Sequence, residues 1–286
     1  DFKSEFGRHL QELQGNKGIG VISSRDAQPI LTDCKFGRFA LAMDGNISNL
    51  TSLVSELKSQ NMSLHEATTV DGHVYDSMAE MAAKLINTGD TMVEGIKNMY
   101  EKIDGSVCMV LLNEDGIYGS RDPSGAFSLF HGENENGFAF SSETTAYHNL
   151  KFDVRKELSP GEIIKADKNE AKTVGKIESD TSICSFLWVY TAFPTSNFQG
   201  VNVEIARNNC GEALGKREPE DFDADLVGGV PESGNAHALG YSEGAGIKQR
   251  RPLCKYTAGY GRSYIPPNQE DRDEIARMKI VLNYDL

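Results

Sequence analysis

The chain has 286 residues, of which 39% are hydrophobic and 25% are charged, so it can bury a sizeable core and whole-chain disorder is excluded. Acidic side chains outnumber basic ones by 42 to 29, and the net charge of −13 disfavours nucleic acid as a partner. No run approaches the ~18 apolar residues of a membrane span, and residues 1–15 lack the pattern of a signal peptide. Five cysteines without a C-x-x-C pair favour a reducing, cytoplasmic location.

The first third of the chain alternates between strand-like runs and helical patterns. Short strands are predicted at residues 18–22, 30–32 and 38–43, followed by a helix at 48–59 with one apolar face. A second helix is predicted from Val74 to Leu85 with Asp71 as its N-cap, and a third over 91–102 with Asp90 as its cap.

From residue 106 onward the pattern changes to short apolar runs separated by turns. Strands at 107–112, 116–120, 126–131 and 137–141 predict an antiparallel sheet, and one more strand follows the turn at 159–161. The charge-rich segment 165–180 has little to bury and indicates a domain boundary. Beyond it, a helix at 203–214, a buried strand at 224–230 and a helix at 233–245 predict an α/β unit with a parallel sheet.

A series of short motifs gives these segments a recognisable order. The motifs are Gly18-Ile19-Gly20, Ala27-Gln28-Pro29, Ala42-Met43-Asp44-Gly45-Asn46, Arg121-Asp122-Pro123, Ser141-Ser142-Glu143, Ser159-Pro160-Gly161 and, further on, Val230-Pro231-Glu232-Ser233-Gly234. Together they resemble the amidophosphoribosyltransferase family, whose N-terminal half is a class II glutamine amidotransferase domain.

The resemblance implies an α+β N-terminal-nucleophile hydrolase fold, an αββα sandwich, followed by an incomplete α/β phosphoribosyltransferase-type domain. It implies a glutamine amidotransferase-like domain lacking its first strands at 1–166, a linker and connecting strand at 167–200, and a partial phosphoribosyltransferase-like domain at 201–286. The implied function is transfer of ammonia from glutamine to phosphoribosyl pyrophosphate in de novo purine synthesis. A cytoplasmic homo-oligomer is expected.

The resemblance also implies where the glutaminase site lies. The family's nucleophile is an N-terminal cysteine, whereas residue 1 here is Asp1, so we expect the chain to begin after the nucleophile. The family's oxyanion hole uses an Asn side chain and the N–H of the following Gly, which correspond to Asp44 and Gly45. Because a carboxylate accepts hydrogen bonds and does not donate them, Asp44 argues against efficient glutamine hydrolysis.

Two further residues are implied as glutamine ligands. Asp71 matches the acid that pairs with the α-ammonium group of the substrate, a role compatible with its predicted N-cap position. The family's Arg for the substrate carboxylate is replaced by Ser23, and Arg25 stands two positions further on. Either Arg25 takes that role or the loop is remodelled.

The phosphoribosyltransferase site is implied only in part. Ser233 matches a position near Mg²⁺ and pyrophosphate, with a plain helix N-cap as the alternative, and Lys255 and Arg262 are candidates for anion contacts in a closing loop. Cys184 aligns with the first ligand of the iron–sulfur cluster of some members, the alternative being a small buried side chain. The family's acidic strand with its phosphate loop is not found in the sequence.

Three functional hypotheses stay open at this point. The first is amidophosphoribosyltransferase activity as the resemblance implies. The second is a catalytically inactive relative with a regulatory or ligand-binding role, favoured by Asp44 and Ser23. The third is an ammonia-dependent transferase that keeps a degenerate glutaminase half as a scaffold. The sequence leaves undecided whether the chain is itself an active enzyme.

Overall fold

The structure is a computed structural model that describes residues 7, 15–23, 26–70, 73–256 and 263–286. It divides into two compact units, Asp1–Cys184 and Ser185–Leu286. Within the described ranges, no helix has the length and apolar character needed to cross a membrane.

The first unit is built on a large antiparallel sheet. Its strands, in spatial order, are β1, β2, β5, β6, β10 and β11, while β8, β7 and β9 form a small sheet and β3 pairs with β4 alone. The strands are β1 (Ile30–Cys34), β2 (Gly37–Ile47), β3 (Ala67–Val70), β4 (His73–Asp76), β5 (Gly105–Asn113), β6 (Gly116–Ser120), β7 (Phe130–Asn134), β8 (Gly137–Ser141), β9 (Asp153–Glu157), β10 (Glu162–Ala166) and β11 (Ala171–Lys176).

Helices cover the outer face of each sheet. Helices α1 (Leu50–Ser59), α2 (Met78–Ile86) and α3 (Met92–Lys102) share one apolar cluster with the large sheet. Helix α4 (Thr145–Leu150) packs on the small sheet, where the Tyr147 hydroxyl donates to the Phe130 carbonyl at 2.7 Å. The layers of this unit therefore run helix, sheet, sheet, helix, which confirms the predicted α+β class.

The alternation of side chains along β5 explains why two sheets pack together. Val107, Met109 and Leu111 are buried in the cluster with the helices. Cys108 and Val110 point the other way, into a smaller apolar cluster that includes Phe140 of the small sheet. Because successive strand residues face opposite sides, this one strand contributes to both cores.

The N-caps of two helices differ from the prediction. Helix α2 is capped by Ser77, whose Oγ accepts from the Glu80 N–H at 3.1 Å, and Val74 belongs to β4 instead of the helix. Asp71 is therefore not the cap, and it lies outside the described residues. Helix α3 is capped by Thr91, which accepts from the Glu94 N–H at 3.2 Å, and Asp90 precedes the cap. In both cases a hydroxyl immediately before the helix makes the bond.

The segment predicted as the start of a linker is partly a strand. β11 pairs with β10, and Val174 and Ile177 pack against the core of the large sheet. Its lysine side chains are exposed to solvent, so this amphipathic edge strand has a composition similar to that of a solvated linker. In contrast, residues 18–22 form no strand, and the strand predicted at 126–131 begins only at Phe130.

The second unit is described by itself. Its elements are a π-helix (Leu187–Thr191), β12 (Asn197–Phe198), β13 (Val201–Asn202), α5 (Val203–Gly215), β14 (Val227–Gly228), α6 (Asn235–Ala245), β15 (Gln249–Arg250), β16 (Leu253–Lys255), α7 (Gln269–Lys279) and β17 (Ile280–Leu282). β14 runs parallel to β15, while β12–β13 and β16–β17 are antiparallel pairs.

Close packing of α5 on α6 depends on glycine. A Cβ atom at Gly211 would lie 2.0 Å from the His237 carbonyl oxygen, and one at Gly240 would lie 1.8 Å from that of Asn208. The buried strand predicted at 224–230 is reduced to the two residues of β14, and Val227 is only half buried. The parallel pairing predicted for this part is present only in the short β14–β15 pair of the described structure.

Candidate functional site

A cleft of ≈450 Å³ opens beside the end of β2, where Asp44 and Gly45 follow Met43. Asp44 is exposed, and it lies opposite Cys108 in the pairing of β2 with β5. Its side chain is therefore on the face of the large sheet that is turned toward the small sheet. The remaining described lining comes from Ile22, Ser23, Asp26, Gln28, Asn46, Met78 and Phe127.

Gly45 occupies a position that only glycine fits. Its φ is +143°, a backbone conformation that side chains disfavour, and a Cβ there would lie 2.1 Å from the Ser106 carbonyl oxygen. The backbone of β5 thus approaches Gly45 closely, and this approach fixes the path of the chain immediately after Asp44.

Gln28 holds the backbone immediately before Asp44. Its amide oxygen accepts from the Met43 N–H at 2.8 Å, and its amide nitrogen donates to the Met43 carbonyl at 3.2 Å. One side chain therefore satisfies both backbone groups of the residue before Asp44. The sequence analysis quoted Gln28 in a motif but assigned it no role, because the contact joins positions fifteen residues apart.

The charge in this cleft is negative. Asp26 accepts from the Ala79 N–H in the first turn of α2 at 3.2 Å, and Asp44 adds a second carboxylate. The described lining includes no basic side chain. Arg25, the predicted partner for the substrate carboxylate, lies outside the described residues, as does Asp71.

The thiol of Cys108, which lies opposite Asp44, is poorly reactive. Burial raises the pKa of Cys108 to about 12, and the neighbouring carboxylates of Asp122 and Asp44 contribute to the increase. The Asp122 N–H also donates to the Cys108 sulfur at 3.3 Å. Because a thiolate is the nucleophile in cysteine chemistry, Cys108 is unsuited to that role at neutral pH.

Asp122 and Arg121 stabilise the turn next to Cys108. Asp122 accepts from the Ser124 hydroxyl at 2.6 Å and the Ala126 N–H at 2.7 Å, while its second oxygen is buried without a hydrogen-bond partner in the described structure. Arg121 is buried and donates to the carbonyls of Phe127 and Leu158. These contacts agree with a structural role for Arg121.

The second unit holds the other described candidates. Ser233 is exposed and lines a cleft of ≈460 Å³ that also includes Glu204, Arg207 and Glu232. It is not the N-cap of α6, since the helix begins at Asn235 and Gly234 holds the cap position. Lys255 ends β16 opposite Ile280 and does not line that cleft. Arg262 lies outside the described residues.

The fit of metals to these residues differs between the two predicted sites. Glu232 and Ser233 place a carboxylate and a hydroxyl on one turn, and such oxygen ligands suit Mg²⁺ bound together with substrate phosphates. Cys184 is exposed, which contradicts a buried side chain. No group of three or more His, Cys, Asp or Glu side chains that could hold a metal forms within the described residues.

Known proteins share sequence similarity with the part of the chain that forms the cleft. A family of glutamine amidotransferase domains matches residues 17–149, which include Asp44 and Gly45. The amidophosphoribosyltransferase of Methanocaldococcus jannaschii is 30% identical over 98% of this chain and 62% of its own length. The amidophosphoribosyltransferase of Synechococcus elongatus is 33% identical over 95% of this chain and 56% of its own length.

Solved structures agree with these relatives. Glutamine phosphoribosylpyrophosphate amidotransferase from B. subtilis, complexed with ADP and GMP, matches with a TM-score of 0.74 and 30% identity over 90% of this chain and 55% of that chain. The chain thus spans between 55% and 62% of the length of these proteins. The resemblance inferred from the motifs is confirmed: the chain is similar to amidophosphoribosyltransferases over most of its length, and residues 17–149 match the glutamine amidotransferase domain family.

Proposed function

We propose that this chain serves an amidophosphoribosyltransferase reaction, in which ammonia from glutamine is transferred to phosphoribosyl pyrophosphate in de novo purine synthesis. The observation that carries the proposal is the Asp44–Gly45 cleft inside a glutamine amidotransferase domain. Similarity to amidophosphoribosyltransferases over 95–98% of the chain supports it further. In this proposal the protein acts as a homo-oligomer.

The two units take different parts in the proposed reaction. The first is proposed to be a glutamine amidotransferase domain of the N-terminal-nucleophile hydrolase type, which its helix, sheet, sheet, helix layering supports. The second is proposed to be the first part of a phosphoribosyltransferase-type domain. This proposal is supported by the parallel pair of β14 and β15, which are connected in the sequence by a segment that contains α6.

In the proposed glutamine site, the backbone around Asp44 and Gly45 receives the developing oxyanion. The Gly45 N–H supplies a donor, and Gln28 and the close approach of β5 hold this backbone rigidly. Asp44 supplies a carboxylate where the family has a donor amide. A negative charge beside a forming oxyanion is unfavourable, so hydrolysis of glutamine is expected to be slow. Arg25 and Asp71 are proposed as the ligands of the substrate's carboxylate and ammonium groups.

In the proposed phosphoribosyl pyrophosphate site, the turn before α6 is central. Glu232 and Ser233 would hold Mg²⁺, whose charge would neutralise the pyrophosphate, and the N-terminus of α6 faces the same cleft through Asn235. Lys255 and Arg262 are proposed to contact substrate anions. No step is assigned to Cys184.

The test compares two nitrogen sources on a purified protein that carries this chain together with the N-terminal cysteine and the phosphate loop implied by the resemblance. Consumption of phosphoribosyl pyrophosphate is measured with glutamine and with ammonium chloride, and ammonia release from glutamine is measured separately. Turnover with ammonium chloride is expected to exceed turnover with glutamine. No consumption of phosphoribosyl pyrophosphate with either source would refute the proposal.

Asp44→Asn provides the sharper comparison. In a protein that carries this chain together with the N-terminal cysteine implied by the resemblance, restoring a donor amide should raise glutamine-supported turnover by about 10²-fold, because one oxyanion donor contributes about that much. Ammonia-supported turnover should stay unchanged. Asp115→Asn, in the hairpin between β5 and β6, is the matched control and should change neither rate.

A second candidate function is favoured by Asp44 itself. It is an ammonia-dependent transferase in which the first unit serves as a scaffold. This candidate predicts ammonia-supported turnover together with an Asp44→Asn variant that gains no glutamine activity. The same two assays therefore separate it from the main proposal.

A further inference from the structure

A second cleft of the first unit, of ≈500 Å³, lies between α1, α2 and the hairpin of β1 and β2. It shares no lining residue with the cleft beside Asp44, and the amidotransferase reaction gives it no role. Its volume is within the range of about 300–1,000 Å³ that is usual for small-molecule sites.

The floor of this cleft is apolar. Leu53, Leu57, Met81 and Leu85 line it from the facing sides of α1 and α2, and Leu53 and Met81 are almost fully buried. Met62 stands at the opening with 45% of its surface exposed. The two helices thus leave an apolar slot between them that is open to solvent.

The rim of this cleft is rich in lysine in a protein whose net charge is −13. Lys35, Lys84 and Lys102 contribute three ammonium groups, against the single carboxylate of Glu56. Lys102 reaches Glu56 at 3.7 Å, and both side chains are more than half exposed. Lys84 lies 3.4 Å from Glu80, and Lys35 pairs with exposed Asp90. The exposed pairs of Lys102 and Lys35 are weak, so a ligand anion can replace their carboxylates at small cost, whereas Lys84 is paired with the buried Glu80.

We propose that this cleft binds a small amphipathic anion, with its apolar body between α1 and α2 and its acidic head among Lys35, Lys84 and Lys102. The apolar floor gives affinity for a hydrocarbon or aromatic body. The three ammonium groups select a carboxylate or similar acidic head over an uncharged or basic one. This inference is independent of the proposed amidotransferase function.

The test is calorimetric titration of the full chain with decanoate. Saturable binding with one decanoate per chain is expected, and decanol and decylamine should bind about tenfold more weakly or not at all. The double substitution Lys35→Gln with Lys102→Gln should weaken decanoate binding about tenfold as well. Lys58→Gln is the matched control, since Lys58 is exposed on α1 but does not line the cleft.

Met62→Trp tests the apolar slot without altering the core. Met62 is at the opening, so an indole there should block the slot and abolish decanoate binding while the protein stays folded by circular dichroism. Equal binding of decanoate and decylamine would overturn the proposal, as would an effect of Lys58→Gln equal to that of the double variant. Analytical sedimentation tests whether a second copy of the chain occupies the cleft instead. If the protein is a dimer that does not bind decanoate, and Met62→Trp dissociates this dimer, then a second copy fills the cleft.

Discussion

The two faces of the large sheet are made by the same strands but hold different kinds of contact. Toward α1, α2 and α3 the buried side chains are almost all apolar, with Leu41, Met109 and Leu111 at the centre. Toward the small sheet a smaller apolar cluster is accompanied by buried Arg121, Asp122 and His131. Apolar packing tolerates rearrangement, whereas buried polar groups need particular partners. The face that carries Asp44 is therefore the one where geometry is specified most tightly.

The largest expected effect is at Arg121. Arg121→Met removes the ion-pair partner of Glu157, whose carboxylate lies 3.1 Å from the guanidinium, and the donors to two backbone carbonyls. The free energy of unfolding should fall by about 3–5 kcal/mol, measured by urea denaturation. Arg155→Met, which breaks an exposed pair with Glu133, should cost less than about 1 kcal/mol. Equal losses for both variants would contradict the difference between buried and exposed arginines.

The helix face is tested by Leu111→Ala. Leu111 is fully buried, and truncation should leave a cavity and lower the free energy of unfolding by about 3 kcal/mol. Leu112→Ala, one residue further along β5 and half buried on the other face, should cost about 1 kcal/mol. If the order of the two losses is reversed in urea denaturation, the assignment of the main core to the helix face is wrong.

Gly45→Ala tests the close approach of β5 to the cleft. The substitution should lower the free energy of unfolding by about 2 kcal/mol, because the new methyl meets the Ser106 carbonyl and the backbone is strained. Gly137 has a similar φ of +150° but open space around it. Gly137→Ala should therefore lose only about 1 kcal/mol from strain. The difference between the two thermal unfolding curves isolates the close contact.

The smallest effect concerns His131 and pH. Burial lowers the pKa of His131 below its ordinary value of 6.5, so the folded state favours the neutral ring. The stability this provides is present above 6.5 and is lost as the pH falls through the lower folded pKa. His131→Phe should make urea denaturation less dependent on pH between these values.

The surroundings of His131 allow the substitution by phenylalanine, and His148 provides a control variant. His131 packs at a tilt against Phe138 and Phe140, and its Nε2 is buried without a hydrogen-bond partner in the described structure, so phenylalanine should be accommodated. His148 is exposed on α4, and His148→Phe should leave the pH dependence as it is. An unchanged pH dependence in His131→Phe would mean that another group causes it.

The sequence alone determined the class of the fold and the resemblance to amidophosphoribosyltransferases. The short apolar run at 107–112 predicted a strand, and the helix predicted at 91–102 matches α3 nearly to its ends. The motif around Asp44 and Gly45 marked the candidate cleft. These features are local, because a period of two or of 3.6 residues is visible within one segment.

Only the tertiary structure decided which partners these residues have. Ser77 rather than Asp71 caps α2, β11 is an edge strand rather than a linker, and Gln28 holds the backbone before Asp44. The buried Arg121 and the charged cleft between α1 and α2 likewise depend on segments distant in the chain. Such contacts leave no periodic trace in the sequence, because each depends on where two separate elements come to lie in the folded chain.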